Sequence, residues 1–509
     1  MPLRPVPILP RKPCAIYLNY RRELEGIDHI LHHSGLDHFV LDEALKRRRQ
    51  LAEDDKAFHR GLDKFISYTR SAFRIGILRA HKGGASVRNL EVTLADSPLE
   101  QWFCFLENFD DLLAPSKSSV DRAKNHISAD VLDKAFAMLL QKAASAPTQE
   151  SSVLESAINL LGFEVPVDLH NVWYDSTCHC PDIHFPVDWV QLGDCCRTLL
   201  KATRCIRKHG IKNRMPKGGP DKFLRHLNQL TISLGNARRR KDSKTQRKKI
   251  TRQLKDFSRR MARHARTHRD LLVRDRALKT ELSPGQAALI IQRIDHVLEL
   301  LPQAIKQTHE RIIGERRVPN DEKILSIYEP VTKVLVRGKS GAEVEYGNPL
   351  LLGENRDGLI VHWDLFEDVR SDSKLLLGAL EATEETIGTK LKEVSADRGF
   401  SDERTREKVA RDRPDLVDHI CPRSPVKLAE KMKDPDFRTS QTRRAQTEAR
   451  VAIITNNYQR GRSLSKGLDS QRQELRWVML AHNLRILSRK LIAEEREREK
   501  RRRERNKAA

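Results

Sequence analysis

The sequence predicts a mixed α+β or α/β fold: a five-stranded mixed sheet flanked by helices, an all-helical N-terminal region, and a large helical insertion between the first and second strands. Three observations predict it. Short β-rich runs separated by Gly, Asn and Asp turns cluster after Val331. A similar run stands far upstream, at 170–177. Between them, residues 220–320 carry helical periodicity throughout.

The 509 residues exceed one ordinary domain, so two or three are expected. Lys and Arg number 94 against 70 Asp and Glu, a net charge of +24, which favours a polyanionic partner, nucleic acid first. Eight scattered Cys are sparse for a disulfide scaffold and read as reduced thiols. The opening MPLRPVPILPRKP is too Pro-rich for a signal peptide. No stretch approaches the roughly 18–20 apolar residues of a membrane span. A soluble, intracellular protein with no membrane partner is expected.

Residues 1–20 read as extended and 20–94 as helical. Ser97 caps an apolar helix over 98–113. Residues 114–143 read as two short helices, each preceded by a Ser: a helix-turn-helix or an ordinary helical hairpin. Residues 1–150 thus form a helical N-terminal region, assigned to DNA binding, and 146–152 a linker. The catalytic part begins with a strand in 165–190 and resumes over 321–490, around a helical basic insertion at 191–320. Within that insertion, residues 238–269 hold fifteen basic residues against Asp242 and Asp256. Arg247, Lys248, Lys249 and Arg252 belong to this run. So one-signed a stretch repels itself without a polyanion, so contact with a DNA backbone is expected. Residues 331–337, 343–353 and 358–366 read as strands, 373–389 as a helix, and 416–423 as a further strand. Residues 440–460 and 472–491 read as helices, and 491–509 as an unpacked charged tail.

Three acids stand out. KEVSADRGF (392–400) is a strand that ends on Asp397, with a Gly for the turn away. VWYDST (172–177) places Asp175 at the end of an earlier strand, and a late helix carries Glu448. Three carboxylates suit a site for two divalent cations, Mg²⁺ or Mn²⁺, because hard cations take oxygen ligands and reverse the repulsion between carboxylate and phosphate. Acids on the first strand, a later strand and a late helix are the ribonuclease H-like arrangement. The Cys178, His179, Cys180, His184, Cys195, Cys196 cluster fits no zinc finger and reads as small buried thiols.

YDST with IHFPVD (183–188), the strand region 336–361, ADRGF (396–400), RRAQTEARVAIITNNYQRGRS (443–463) and WVMLAHNL (477–484) together resemble a bacterial insertion-sequence transposase of the DDE class. The resemblance covers about 165–190 and 325–490. It implies a ribonuclease H-like catalytic domain whose triad, Asp175, Asp397 and Glu448, binds two Mg²⁺ or Mn²⁺ ions. It further implies hydrolysis at element ends and strand transfer into target DNA. The partners implied are double-stranded DNA (terminal repeats and target) and a second copy in a homodimer; the location implied is cytoplasmic, at the nucleoid. Lys339, Arg444 and Arg450 become candidate phosphate contacts. The family often carries a Tyr seven residues before the glutamate and a Lys seven after, where this chain has Gln441 and Thr455. Glu403 and Glu407 are therefore alternative third acids. Two rival readings are a nuclease of this fold without strand transfer and a basic, non-catalytic DNA-binding protein.

Overall fold

The structure, a computed structural model, describes residues 5–106, 114–147, 149–150, 157–216, 218–237, 242–339 and 342–508. The chain forms two compact units, Met1–Cys180 with Pro349–Ala509, and Pro181–Asn348. In chain order the elements are α1 (Ala15–His33), α2 (Leu36–Leu51), α3 (Asp55–His59), α4 (Leu62–His81), α5 (Val87–Asp96), α6 (Pro98–Phe103), α7 (Lys117–His126), α8 (Ala129–Ala143) and β1 (Asn171–His179). Then come α9 (Asp188–Lys208), α10 (Pro220–Ala237), α11 (Ser243–Lys279), α12 (Pro284–Thr308), β2 (Lys333–Lys339), β3 (Ala342–Glu354) and β4 (Ile360–Leu365). Last are α13 (Asp372–Ile387), β5 (Glu393–Ala396), α14 (Glu403–Asp412), β6 (Val417–Ile420), α15 (Pro425–Lys431), α16 (Pro435–Ala452) and α17 (Leu468–Ala508). No described helix is long and apolar enough to cross a membrane.

The first unit is built around one sheet and one long helix. The sheet runs β4–β3–β1–β5–β6. β1 and β5 are parallel, as are β5 and β6, while β3 and β4 are antiparallel. β1 and β5 are buried on both faces, which explains their runs of Val, Trp, Tyr and Ala. α13 and α16 take the two faces, as the contacts of β1 below establish.

Helix α17 gathers the N-terminal helices. Gly26 of α1 lies against Ser488, and Gly76 of α4 against the Trp477 ring; at either place a Cβ would collide. Trp477 Nε1 donates to the Lys124 carbonyl at 3.0 Å, and Arg476 pairs with Asp133 at 2.9 Å. Helices of 1–150 therefore share a core with the sheet and do not form a separate body. The charged tail is also different from expectation. α17 continues through it to Ala508, Arg498 donates to the Gly162 carbonyl at 3.2 Å, and Arg501 pairs with Glu164 at 2.7 Å. Ser97 does cap its helix through the Glu100 N–H, but α6 ends at Phe103 and Phe105 turns left-handed at φ 55°. Residues 107–113 lie outside the described residues.

The second unit is a four-helix core of α9 to α12 with a hairpin. Leu192, Cys195, Cys196, Leu199, Phe257 and Met261 are among its buried centre. Asp188 opens α9 and accepts from Gln307 (2.7 Å) and Arg311 (2.8 Å), a structural acid. The hairpin pairs β2 with the first half of β3, from Lys333 opposite Gly347 to Lys339 opposite Ala342. The sheet thus has six strands where five were expected, because β3 is long enough to pair β2 along one half and β4 along the other. The unit spans 181–348, wider at both ends than the insertion expected at 191–320. Residues 238–241, the start of the basic run, lie outside the described residues.

Candidate active site

Alternation along β1 decides which side chains meet. The Tyr174 hydroxyl reaches Thr383 Oγ1 at 2.5 Å and donates to the Ala379 carbonyl of α13. One residue earlier, Trp173 Nε1 donates to the Ser440 carbonyl of α16 at 3.0 Å. Successive side chains of a strand point to opposite faces, so Asp175 shares the α16 face with Trp173. Asp175 was expected at the strand's end but lies within it, because β1 continues to His179. Tyr174 pairs with Ala396 in the parallel register, so Asp175 and Asp397 are the next residues on neighbouring strands. Such strands lie about 4.8 Å apart. Ser395 meets Ser440 hydroxyl to hydroxyl at 2.6 Å, which fixes Asp397, two residues on, to the same face.

The electrostatics follow from that placement. Burial pushes the Asp175 carboxyl up to about 6, and the neighbouring Asp397 pushes it further the same way. The Ser176 N–H, at 2.9 Å, and the Arg444 guanidinium act against the rise, and Glu448 adds to it. All three predicted acids therefore occupy one electrostatic neighbourhood. Asp397 Oδ1 accepts the Gly399 N–H at 2.8 Å, which anchors the turn that leaves β5. Glu448 sits two turns along α16 from Ser440, exposed and held by Arg444 at 3.0 Å. Among the described residues no three His, Cys, Asp or Glu side chains stand close enough to form a finished metal-binding group. The donors are nonetheless all oxygens, and two of them are adjacent acids, of which Asp175 is held out of water by burial. That combination suits a hard divalent cation.

A fourth acid was missed by the sequence reading. Asp372, the first residue of α13, accepts from the Ser176 hydroxyl at 3.0 Å. Its Oδ2 would lie 2.8 Å from a Cβ placed on Gly399, and Asp397 Oδ1 would lie 3.0 Å from it. An Asp in the first turn of a helix reads as an ordinary dipole partner, so no sequence signal singled it out. Of the alternatives to Glu448, Glu403 pairs with Lys427 on the exposed side of α14 and Glu407 is exposed on the same helix. Glu448, by contrast, is one of the charges that raise the Asp175 carboxyl.

The basic candidates divide. Arg444 lies at the site on Glu448. Arg450, expected to meet phosphate, instead turns inward to the fully buried Glu354 at 3.1 Å. Lys339 is in β2, and its side chain lies outside the described residues. On α11, Lys248 pairs with Glu315 and Arg247 is half-buried. Lys249 and Arg252 are exposed, and with Arg259, Arg263 and Arg266 they line one helical face. Lys249, Arg252, Arg263 and Arg266 form no ion pair among the described residues. Cys195 and Cys196 are buried in the helical core, and burial pushes the Cys196 thiol up to about 12. Against protein-family models, curated proteins and solved structures, the chain matches none.

Proposed function

We propose that the chain is a DNA transposase of the DDE class, with a ribonuclease H-like catalytic fold. The observation that carries the reading is the parallel register that sets Asp175 beside Asp397, with the helix that bears Glu448 held to both strands through Ser440. The sheet order β4–β3–β1–β5–β6, with Asp175 within β1, Asp397 directly after β5 and a third acid on a helix lying over both, supports it. Asp175, within β1, and Asp397, directly after β5, stand side by side on neighbouring strands. Glu448 completes the set once its carboxylate leaves Arg444, which then faces a phosphate oxygen. Mg²⁺ or Mn²⁺ bound there would neutralise the acids and polarise the attacking and leaving oxygens. Hydrolysis forms a water-derived P–O bond and breaks the bond to a 3′-oxygen, leaving a 3′-hydroxyl. In strand transfer that hydroxyl attacks a target phosphodiester and displaces its 3′-oxygen. The two displacements share one geometry, so one set of acids serves both. The exposed basic face of α11 contacts DNA phosphates, and joining two element ends calls for two copies of the chain.

The test is cleavage of a labelled duplex bearing the element's terminal repeat, with Mg²⁺ or Mn²⁺. The unmodified chain should cut and join. Asp397→Ala and Glu448→Ala should bind without cutting. Metal-dependent cutting that never yields joined product would favour a nuclease, and binding that survives without cutting in the unmodified chain would favour a DNA-binding protein.

A further inference from the structure

We infer that Glu354, the last residue of β3, is the positioning residue for Glu448, acting through two arginines of α16. The inference rests on the reading that Asp175, Asp397 and Glu448 together hold divalent cations.

The Glu354 side chain is 0% exposed. A carboxylate so placed must be paired. Arg443 Nη2 and Arg450 Nε both donate to its Oε1, each at 3.1 Å. The two arginines are seven residues apart, two helical turns, and so share one face of α16. A single contact would fix one point of a helix. Two contacts, two turns apart, fix its rotation and its position along the axis. Glu448 lies between them, one turn from either the Arg444 it bonds or the end of the helix. Its angular position therefore follows from theirs.

The surroundings are built for this clamp. Arg443 also donates to the Asn355 carbonyl at 2.9 Å, and its guanidinium lies 4.9 Å from the Trp173 ring centre. Trp173 is two residues before Asp175 on the same face, so the clamp registers the helix against the strand that carries the first acid. Gly358, at φ +89°, leaves the space that the Arg450 guanidinium fills, and any side chain there would collide with it. Burying ion pairs adds little net stability compared with apolar packing of the same volume. What this pairing supplies is geometry. The contacts of Glu354 on α16 run to its two arginines, so it acts on the site through α16.

The experiment uses the full chain, unmodified and as Glu354→Gln, Glu354→Asp, Glu448→Ala and the double variant Glu354→Gln/Glu448→Ala. Hydrogen exchange is measured without metal, and Mn²⁺ binding is measured by electron paramagnetic resonance. In Glu354→Gln, amides of 443–452 should exchange about tenfold faster while those of β1 and β5 do not change. Mn²⁺ affinity should fall about tenfold or more, as in Glu448→Ala, and the double variant should fall no further. Glu354→Asp should recover part of both. Unchanged exchange in 443–452 overturns the inference whatever the metal does. Faster exchange throughout the unit, or Mn²⁺ losses that multiply in the double variant, overturns it as well, because Glu354 would then serve folding alone. If the unmodified chain binds no Mn²⁺, the cation reading itself fails and the role assigned to Glu354 falls with it, a result distinct from a Glu354→Gln defect in a chain that binds.

Discussion

Trp173 and Ser440 are joined by a 3.0 Å hydrogen bond from the indole N–H to a helix carbonyl, and this bond sets α16 over the face of β1 that carries Asp175. Ser440 also touches Ser395 of β5 through its hydroxyl at 2.6 Å. One residue of the helix is thus pinned to both acid-bearing strands. Ser440→Ala removes the hydroxyl contact and leaves Ser395 buried without it, which should cost about 1–2 kcal/mol in urea unfolding. Cleavage should fall with it, and more steeply than the stability loss alone would produce.

Asp175→Asn should stabilise the metal-free protein at neutral pH. The folded carboxyl sits at about 6, above its ordinary value of 3.8. Stability from this group is therefore complete below about pH 4 and is lost as pH rises through about 6. The loss is ~3 kcal/mol, two units at 1.36 each. Melting curves from pH 4 to 8 should show this decline in the unmodified chain and not in Asp175→Asn, which should also be inactive.

Divalent cations should reverse that decline. Mn²⁺ at a hundred times its dissociation constant should add about 2.7 kcal/mol above pH 6. Below pH 6 the effect should fade, because protons compete for Asp175. Melting temperature against Mn²⁺ at pH 5 and pH 7.5 measures both.

Gly399→Ala should disturb the acid cluster by a specific collision. The added methyl would stand 2.8 Å from Asp372 Oδ2. The expected cost is about 1–3 kcal/mol. Asp372→Ala in the same chain should restore most of the lost stability, and a thermal melt of the three variants checks it.

The exposed face of α11 should contribute affinity for DNA without regard to sequence. Changing Lys249, Arg252, Arg263 and Arg266 together to Gln should reduce the slope of log affinity against log salt by about 3.5. Surface changes of this kind cost within ~0.5 kcal/mol each, so the fold should survive. Lys248→Gln should leave the slope nearly unchanged, since Glu315 already occupies its charge.

Part of the site was legible because two of its acids follow apolar runs. Asp175 and Asp397 each close an apolar run, so their sequence context is distinctive, although the backbone turns only after Asp397 and β1 runs on past Asp175 to His179. Glu448 has no such context. A glutamate between arginines on a polar helix looks like any solvated face, and only family resemblance singled it out. Glu354 and Arg450 were illegible for a related reason. Glu354 stands beside the turn residues Asn355–Gly358 and reads as exposed, and only the arrival of α16 from ninety residues later buries it. The packed tail was missed because it depends on partners far away in sequence. Arg498, for example, finds its acceptor at Gly162, across 336 positions.

Helix α17 also sets an order of assembly during synthesis. The second unit draws its four core helices from one unbroken segment, so its contacts are close in sequence and can form as soon as that segment leaves the ribosome. The first unit must wait. Leu24, Ile27 and Leu31 are buried residues of α1, a helix that packs against α17, which is made more than four hundred residues later. β1 likewise emerges long before β5. Throughout most of translation the N-terminal helices therefore display apolar surface, and the two strands that bear Asp175 and Asp397 remain apart. The acids are brought side by side only once β5 has followed β1 out of the ribosome.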